Sequence, residues 1–113
     1  MAVPDDDDPR LAQIVSQARS GWPEFVDAFQ KRTSGDRFLV KAPFTDGENG
    51  EWMWVEVTGI EGVHLVGTLQ NSPLQVANIE IGDETRVLAT EIGDWYYLQN
   101  GNGHGGFSQA LLE

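Results

Sequence analysis

The hydrophobic pattern changes period once along the chain. Leu11, Ile14, Val15 and Ala18, then Phe25, Val26 and Phe29, recur at three- and four-residue spacing, which is one face of a helix. Asp8 can cap such a helix, and Pro9 suits its first position, where a missing N–H costs nothing. Gly21 interrupts the stripe and Pro23 can open a second helix. Lys31 and Arg32 suit a helix C-terminus through the macrodipole. The spacing predicts two short helices, or one kinked helix, over residues 9–32, with Gly35 ending the helical region.

From residue 36 the period is two. Phe38–Ala42 reads as a strand limited by Pro43, Trp52–Thr58 as a second, Val63–Leu69 as a third, Thr85–Thr90 as a fourth and Trp95–Gln99 as a fifth. Thr45–Gly50, Glu61-Gly62, Gly82-Asp83 and Gly93-Asp94 have turn chemistry. Asn71-Ser72-Pro73 breaks the third strand, and Leu74–Ile81 is a connection. Asn100–Gly106 holds four glycines and reads as a flexible loop, with Phe107–Leu112 a last short strand or helical turn. Short connections favour antiparallel pairing. The expected fold class is α+β: an N-terminal helical segment packed on a strongly bent antiparallel sheet of five or six strands, able to curl into a partly open barrel. A single domain over 9–113 follows a disordered acidic lead at 1–8, because Asp5–Asp8 repels itself and has nothing to bury.

The stretch Glu51–Val57 carries the strongest pattern. Trp52, Trp54 and Glu56 face one way; Met53, Val55 and Val57 face the other. Trp95 and Tyr97 also share a strand face. If the two strands are neighbours, four rings form one patch rimmed by acids, able to hold a cationic or peptide ligand. The candidate binding set is then Trp52, Trp54, Glu56, Asp83, Asp94, Trp95 and Tyr97. The competing reading places the rings between the helices and the sheet, and the burial habit of tryptophan favours it.

Other candidate chemistry is sparse. Asp83 and Asp94 are two carboxylates available for acid/base work, but each follows a glycine just before a strand, where aspartate serves turns. Ser72 has no evident base to activate it. His64 and His104 are isolated and lack zinc-site spacing. Asp46–Glu51 lacks the sixth-position glycine and twelfth-position glutamate of a calcium loop. The glycines of 101–106 do not join a strand to a helix with a lysine, so they are not a phosphate loop. No cofactor is expected.

Composition narrows the partners. Eighteen acids against seven bases give the 113-residue chain a formal net charge of −11. Six of the seven bases precede residue 42; only Arg86 follows. A field of that sign repels nucleic acid and anionic membranes and attracts a basic protein or a cation, though it also serves solubility. There is no cysteine, no basic-then-apolar leader and no apolar run of membrane-spanning length, so a soluble cytoplasmic protein is expected.

Five motifs follow in order: Phe38-Leu39-Val40-Lys41-Ala42-Pro43-Phe44, Glu51-Trp52-Met53-Trp54-Val55-Glu56-Val57, Gly67-Thr68-Leu69-Gln70-Asn71-Ser72-Pro73, Ile81-Gly82-Asp83 and Ile92-Gly93-Asp94-Trp95-Tyr96-Tyr97. This succession resembles the YegJ-like family of bacterial domains of unknown function, over residues 36–98 and the Ala18–Phe29 segment. The resemblance implies a small bacterial domain, free-standing or fused, and no established activity. Family members often have histidine where this chain has Trp52, so a mechanism that needed that imidazole is not available here.

The functional expectation is a non-enzymatic module that binds a protein or peptide, more basic than acidic, such as an inhibitor or immunity-type protein. The alternatives are an enzyme built on Asp83, Asp94 and Ser72, and a purely structural domain.

Overall fold

The computed structural model of the protein describes residues 9–106, and side chains from residue 12 onward. The acidic lead at 1–8 and the element expected at Phe107–Leu112 lie outside the described residues. Helix α1 spans Pro9–Ser20 and α2 spans Trp22–Gln30. Gly21 separates them, and the Trp95 ring lies directly against it. Ile14 and Ala18 of α1, and Phe25, Ala28 and Phe29 of α2, are buried. The end of α2 is finished by Arg32, whose Nη1 donates to the Phe29 carbonyl at 2.9 Å while its guanidinium covers the Phe29 ring. Orphan carbonyls at a helix C-terminus call for such donors.

Six strands follow: β1 Arg37–Asp46, β2 Asn49–Glu61, β3 His64–Leu69, β4 Glu84–Leu88, β5 Asp94–Gln99 and β6 Asn102–Gly105. They form one antiparallel sheet in the order β4-β3-β2-β1-β5-β6, which stays open and does not close into a barrel. The architecture is α+β and dominated by its sheet.

Three expectations are corrected. Pro43 does not end β1; the strand runs on to Asp46, with Pro43 opposite Trp52. Trp54, in register two positions along, turns its N–H to Asn71 and its carbonyl to Gln70, away from β1. The Pro43 nitrogen therefore faces the far edge of β1, beyond Lys41, where the pairing with β5 has already stopped. No ladder bond is lost there. Second, Asn100–Gly106 is a hairpin and not a loop. Asn100 and Gly101 both take positive φ (52° and 82°), the two-residue turn whose twist matches paired strands. Third, Thr90 is not in β4; Ala89–Glu91 is a 3-10 turn that starts the chain back toward β5.

The core lies between the helices and one face of the sheet. Phe38, Val40, Met53, Val55, Val57, Leu65, Leu69, Trp95 and Tyr97 from the strands meet Ala18, Phe25 and Phe29 from the helices. Phe25 sits at its centre, with edge-on or tilted contacts to Phe38, Tyr97 and Trp95 at ring separations of 5.5, 6.3 and 5.7 Å. Two polar ties fix the helices over this face. The Trp95 indole N–H donates to the Ala18 carbonyl at 2.8 Å, and the Tyr97 hydroxyl donates to Glu24 Oε2 at 2.7 Å. Burial, then the Glu24 carboxylate, pushes the Tyr97 phenol up to about 12.

The pairing of β2 with β3 is irregular. The β2 register slips between Val57 and Gly59. A bulge of this kind kinks a strand and increases its twist. At the same level Gly67 of β3 lies so close to β2 that any Cβ would overlap the Glu56 carbonyl.

Candidate functional site

The register decides which rings meet. Val40 of β1 pairs with Val55 on one side and Trp95 on the other, while Lys41 pairs with Trp54 and Asp94. Because side chains alternate along a strand, Trp95 and Tyr97 lie on the helix-covered face with Val55. Trp52, Trp54 and Glu56 lie on the opposite face with Leu39, Lys41 and Tyr96. One strand intervenes between β2 and β5, and its parity divides the four rings into two pairs on opposite faces. Trp52 and Trp54 are not beneath the helices; Met53, Val55 and Val57 are. Trp95 and Tyr97 are 1% and 4% exposed, so no surface ligand reaches them.

The expected carboxylates also separate. Asp83 is exposed, and its Oδ2 accepts the Glu80 N–H at 2.9 Å, which is turn chemistry. Asp94 is fully buried, and its Oδ1 accepts the Trp95 N–H at 2.8 Å. The strands they introduce, β4 and β5, have three others between them in the sheet order. Among the described residues no group of three or more histidine, aspartate or glutamate side chains is placed to hold a metal ion.

The open face carries a depression among the described residues. Leu39, Trp54, Tyr96, Gly105 and Gly106 line a groove of about 530 Å³. That volume falls within the range of small-ligand sites, about 300–1,000 Å³. Each wall follows from its strand. Leu39 and Trp54 come from the outward positions of β1 and β2, Tyr96 from the outward position of β5. On β6, Gly103 lies under the Tyr96 ring, where a Cβ would collide with the phenol. Among the described residues, Gly105 and Gly106 make this side of the groove backbone alone. Beside it Arg37 grips Glu56 with two hydrogen bonds, Nε to Oε2 at 3.0 Å and Nη2 to Oε1 at 3.1 Å. This bidentate pair raises the already high Arg37 pKa through the Glu56 hydrogen bond and charge. Lys41 Nζ stands 5.8 Å from the centroid of the Trp54 ring.

Of the candidate set, then, Trp54 lines the groove, and Glu56 and Trp52 share its face of the sheet. Trp52 packs its ring against Gly93, and its indole nitrogen is buried without a partner among the described residues. Leu39, Lys41 and Tyr96 were not candidates. The alternation of β1, with Leu39 and Lys41 between buried Phe38, Val40 and Ala42, carries the signal for the first two. Tyr96, between Trp95 and Tyr97, carries the same signal.

Several of the recurring motifs act on the fold itself. The Glu51 carboxylate accepts the N–H groups of Leu74, Gln75 and Val76 at 2.9–3.2 Å. Those amides hold its pKa below the usual glutamate value. Asn71 Oδ1 accepts the Trp54 N–H at 2.6 Å, and Asp46 Oδ2 accepts the Ala77 N–H at 2.6 Å. Together they fasten the 71–77 connection along the part of β2 that β3 does not reach. No described helix is long and apolar enough to cross a membrane.

Comparison with known proteins agrees with the resemblance in the motifs. The family model described as "Uncharacterized protein conserved in bacteria (DUF2314)" matches residues 8–113. The uncharacterized protein YegJ of Escherichia coli (strain K12) is 31% identical over 103 residues, covering 90% of this chain and 66% of that protein. A Neisseria meningitidis serogroup B protein, whose name describes ankyrin repeats, is 38% identical over 81 residues, covering 67% of this chain and 32% of that protein. The chain thus spans less than two thirds of the length of each of these relatives. No solved structure matches.

Proposed function

The chain belongs to this family of uncharacterized bacterial proteins, and from its open sheet face we propose that it is a non-enzymatic module that binds a protein or peptide segment. One observation carries the reading: a sheet with helices on one face presents on the other an apolar groove floored by Trp54, Leu39 and Tyr96. Large aromatic anchors at a partly exposed site are the kind of residue that dominates binding energy at protein interfaces. The described lining of the groove, three large side chains and glycine backbone, is suited to contact with an apolar side chain, which supports a binding role. The formal charge of −11 favours a basic partner through the long-range field, with an apolar residue of that partner in the groove. The Neisseria relative supports an interaction role. Its name describes ankyrin repeats, and repeat solenoids of that kind present extended binding surfaces.

A peptide of alternating lysine and glycine with one central phenylalanine is a direct probe. Titration calorimetry is expected to show binding that Trp54→Ala weakens by about tenfold or more. Leu74→Ala, at an 89% exposed position outside the groove, is expected to leave it unchanged. Binding that ignores both Trp54→Ala and Tyr96→Ala would remove the groove from the account.

A further inference from the structure

Lys41 differs from every other cation whose side chain is described. Arg19 donates to the Thr90 carbonyl, Lys31 pairs with Asp27, and Arg32 donates to the Phe29 carbonyl. Arg37 pairs with Glu56 and Arg86 with Glu61. Among the described residues Lys41 makes no hydrogen bond or ion pair; its one directed contact there is with the Trp54 ring, at 5.8 Å. Its cross-strand neighbour Asp94 is fully buried, with Oδ1 on the Trp95 N–H, and does not pair with it. Glu56, two residues from Trp54 on the same face, is already held by Arg37 at both oxygens. A chain with eighteen acids and seven bases thus leaves a half-buried lysine without an acid among the described residues, beside the Trp54 ring that walls its apolar groove.

We propose that the groove recognises a polypeptide C-terminus: the side chain of an apolar last residue rests on Leu39, Trp54 and Tyr96, and the α-carboxylate meets Lys41 Nζ. This rests on the binding-module reading above and names the end of the partner that enters. An ammonium is a compact charge with three donors, suited to a terminal carboxylate. A groove of about 530 Å³ has room for one large side chain together with its carboxylate. The β6 wall, built of glycine backbone, adds no side chain of the described residues to that space.

The test exploits an opposition of signs. The probe is a hexapeptide of lysine and glycine ending in phenylalanine, prepared as the free acid and as the C-terminal amide. The overall field of the protein favours the amide, which carries one negative charge fewer. Lys41 favours the acid. Calorimetry is expected to show the acid binding about tenfold more tightly. Lys41→Met, which keeps the apolar stem, is expected to abolish or reverse that preference, and Lys41→Arg to retain it. Circular dichroism confirms that the variants fold. Equal binding of acid and amide, while the peptide with central phenylalanine still binds, overturns the C-terminal assignment and leaves the module intact. Failure of every peptide overturns both. N-acetylphenylalanine binding as tightly as the hexapeptide acid overturns the chain-end assignment in favour of a small apolar acid.

Discussion

Glu51 shows how one side chain can organise a segment that has no regular structure. Residues 74–76 turn three successive N–H groups toward one carboxylate, and those amides have no strand to pair with. Hydrogen bonds to an ionised acceptor are stronger than neutral ones, and partial exposure reduces their worth. Glu51→Ala is expected to destabilise the protein by about 2 kcal/mol, read as a lowered urea midpoint with an unchanged slope. The pH dependence follows from the direction of the shift. The folded-state pKa lies below the ordinary glutamate value, so the unfolded chain binds more protons in the window between the two. The stabilisation is full above the ordinary value and is lost as pH falls through the depressed one. The variant is therefore expected to lose less stability than the parent on acidification below about pH 4.5. Equal acid sensitivity of the two would show that the three bonds do not depend on the carboxylate's charge. None of this was visible in the chain, where Glu51 reads only as the residue before a strand, because its partners are backbone amides more than twenty residues away.

Among the elements, β2 and β3 do the most to shape the site. β2 is thirteen residues long, yet β3 pairs only with its second half, and the 71–77 connection follows the rest. The close approach at Gly67 brings the two strands together just past the bulge. Gly67→Ala is expected to cost about 3 kcal/mol or more, since the Glu56 backbone, not a flexible side chain, would have to move. Thermal denaturation read by near-ultraviolet circular dichroism would report it through the tryptophans. A loss below about 1 kcal/mol would mean that the strands separate there at little cost. The helices and most strands were legible because their periods are strong and their breaks carry Gly, Pro or Asp. The β5–β6 hairpin was hidden by glycines that resemble a flexible loop, although Asn100-Gly101 is a hairpin turn in miniature. The split of the aromatic residues was hidden for another reason. Alternation tells which residues share a face within a strand, but only the order of strands tells which faces coincide, and β1 between β2 and β5 could not be read from spacing.

At the scale of the whole molecule, the net charge and the apolar groove act separately, and that separation distinguishes two uses of the acidic composition. If the −11 serves solubility alone, association with a basic peptide depends on the groove and is nearly indifferent to salt. If it also recruits the partner, the field acts on encounter: added salt slows association and leaves dissociation from the apolar groove little changed. For the peptide of lysine and glycine with a central phenylalanine, affinity is expected to fall about tenfold between low salt and about 0.5 M, mostly in the association rate. Surface plasmon resonance at several ionic strengths separates the two rates. The Trp54→Ala variant provides the complementary case. Its dissociation is expected to be faster at every salt concentration, while the salt dependence of its association stays that of the parent, because removing a neutral ring alters the anchor and not the field. A parent protein whose association rate does not respond to salt would reduce the acidic surface to a solubility device and leave Trp54, Leu39 and Tyr96 as the determinants of binding.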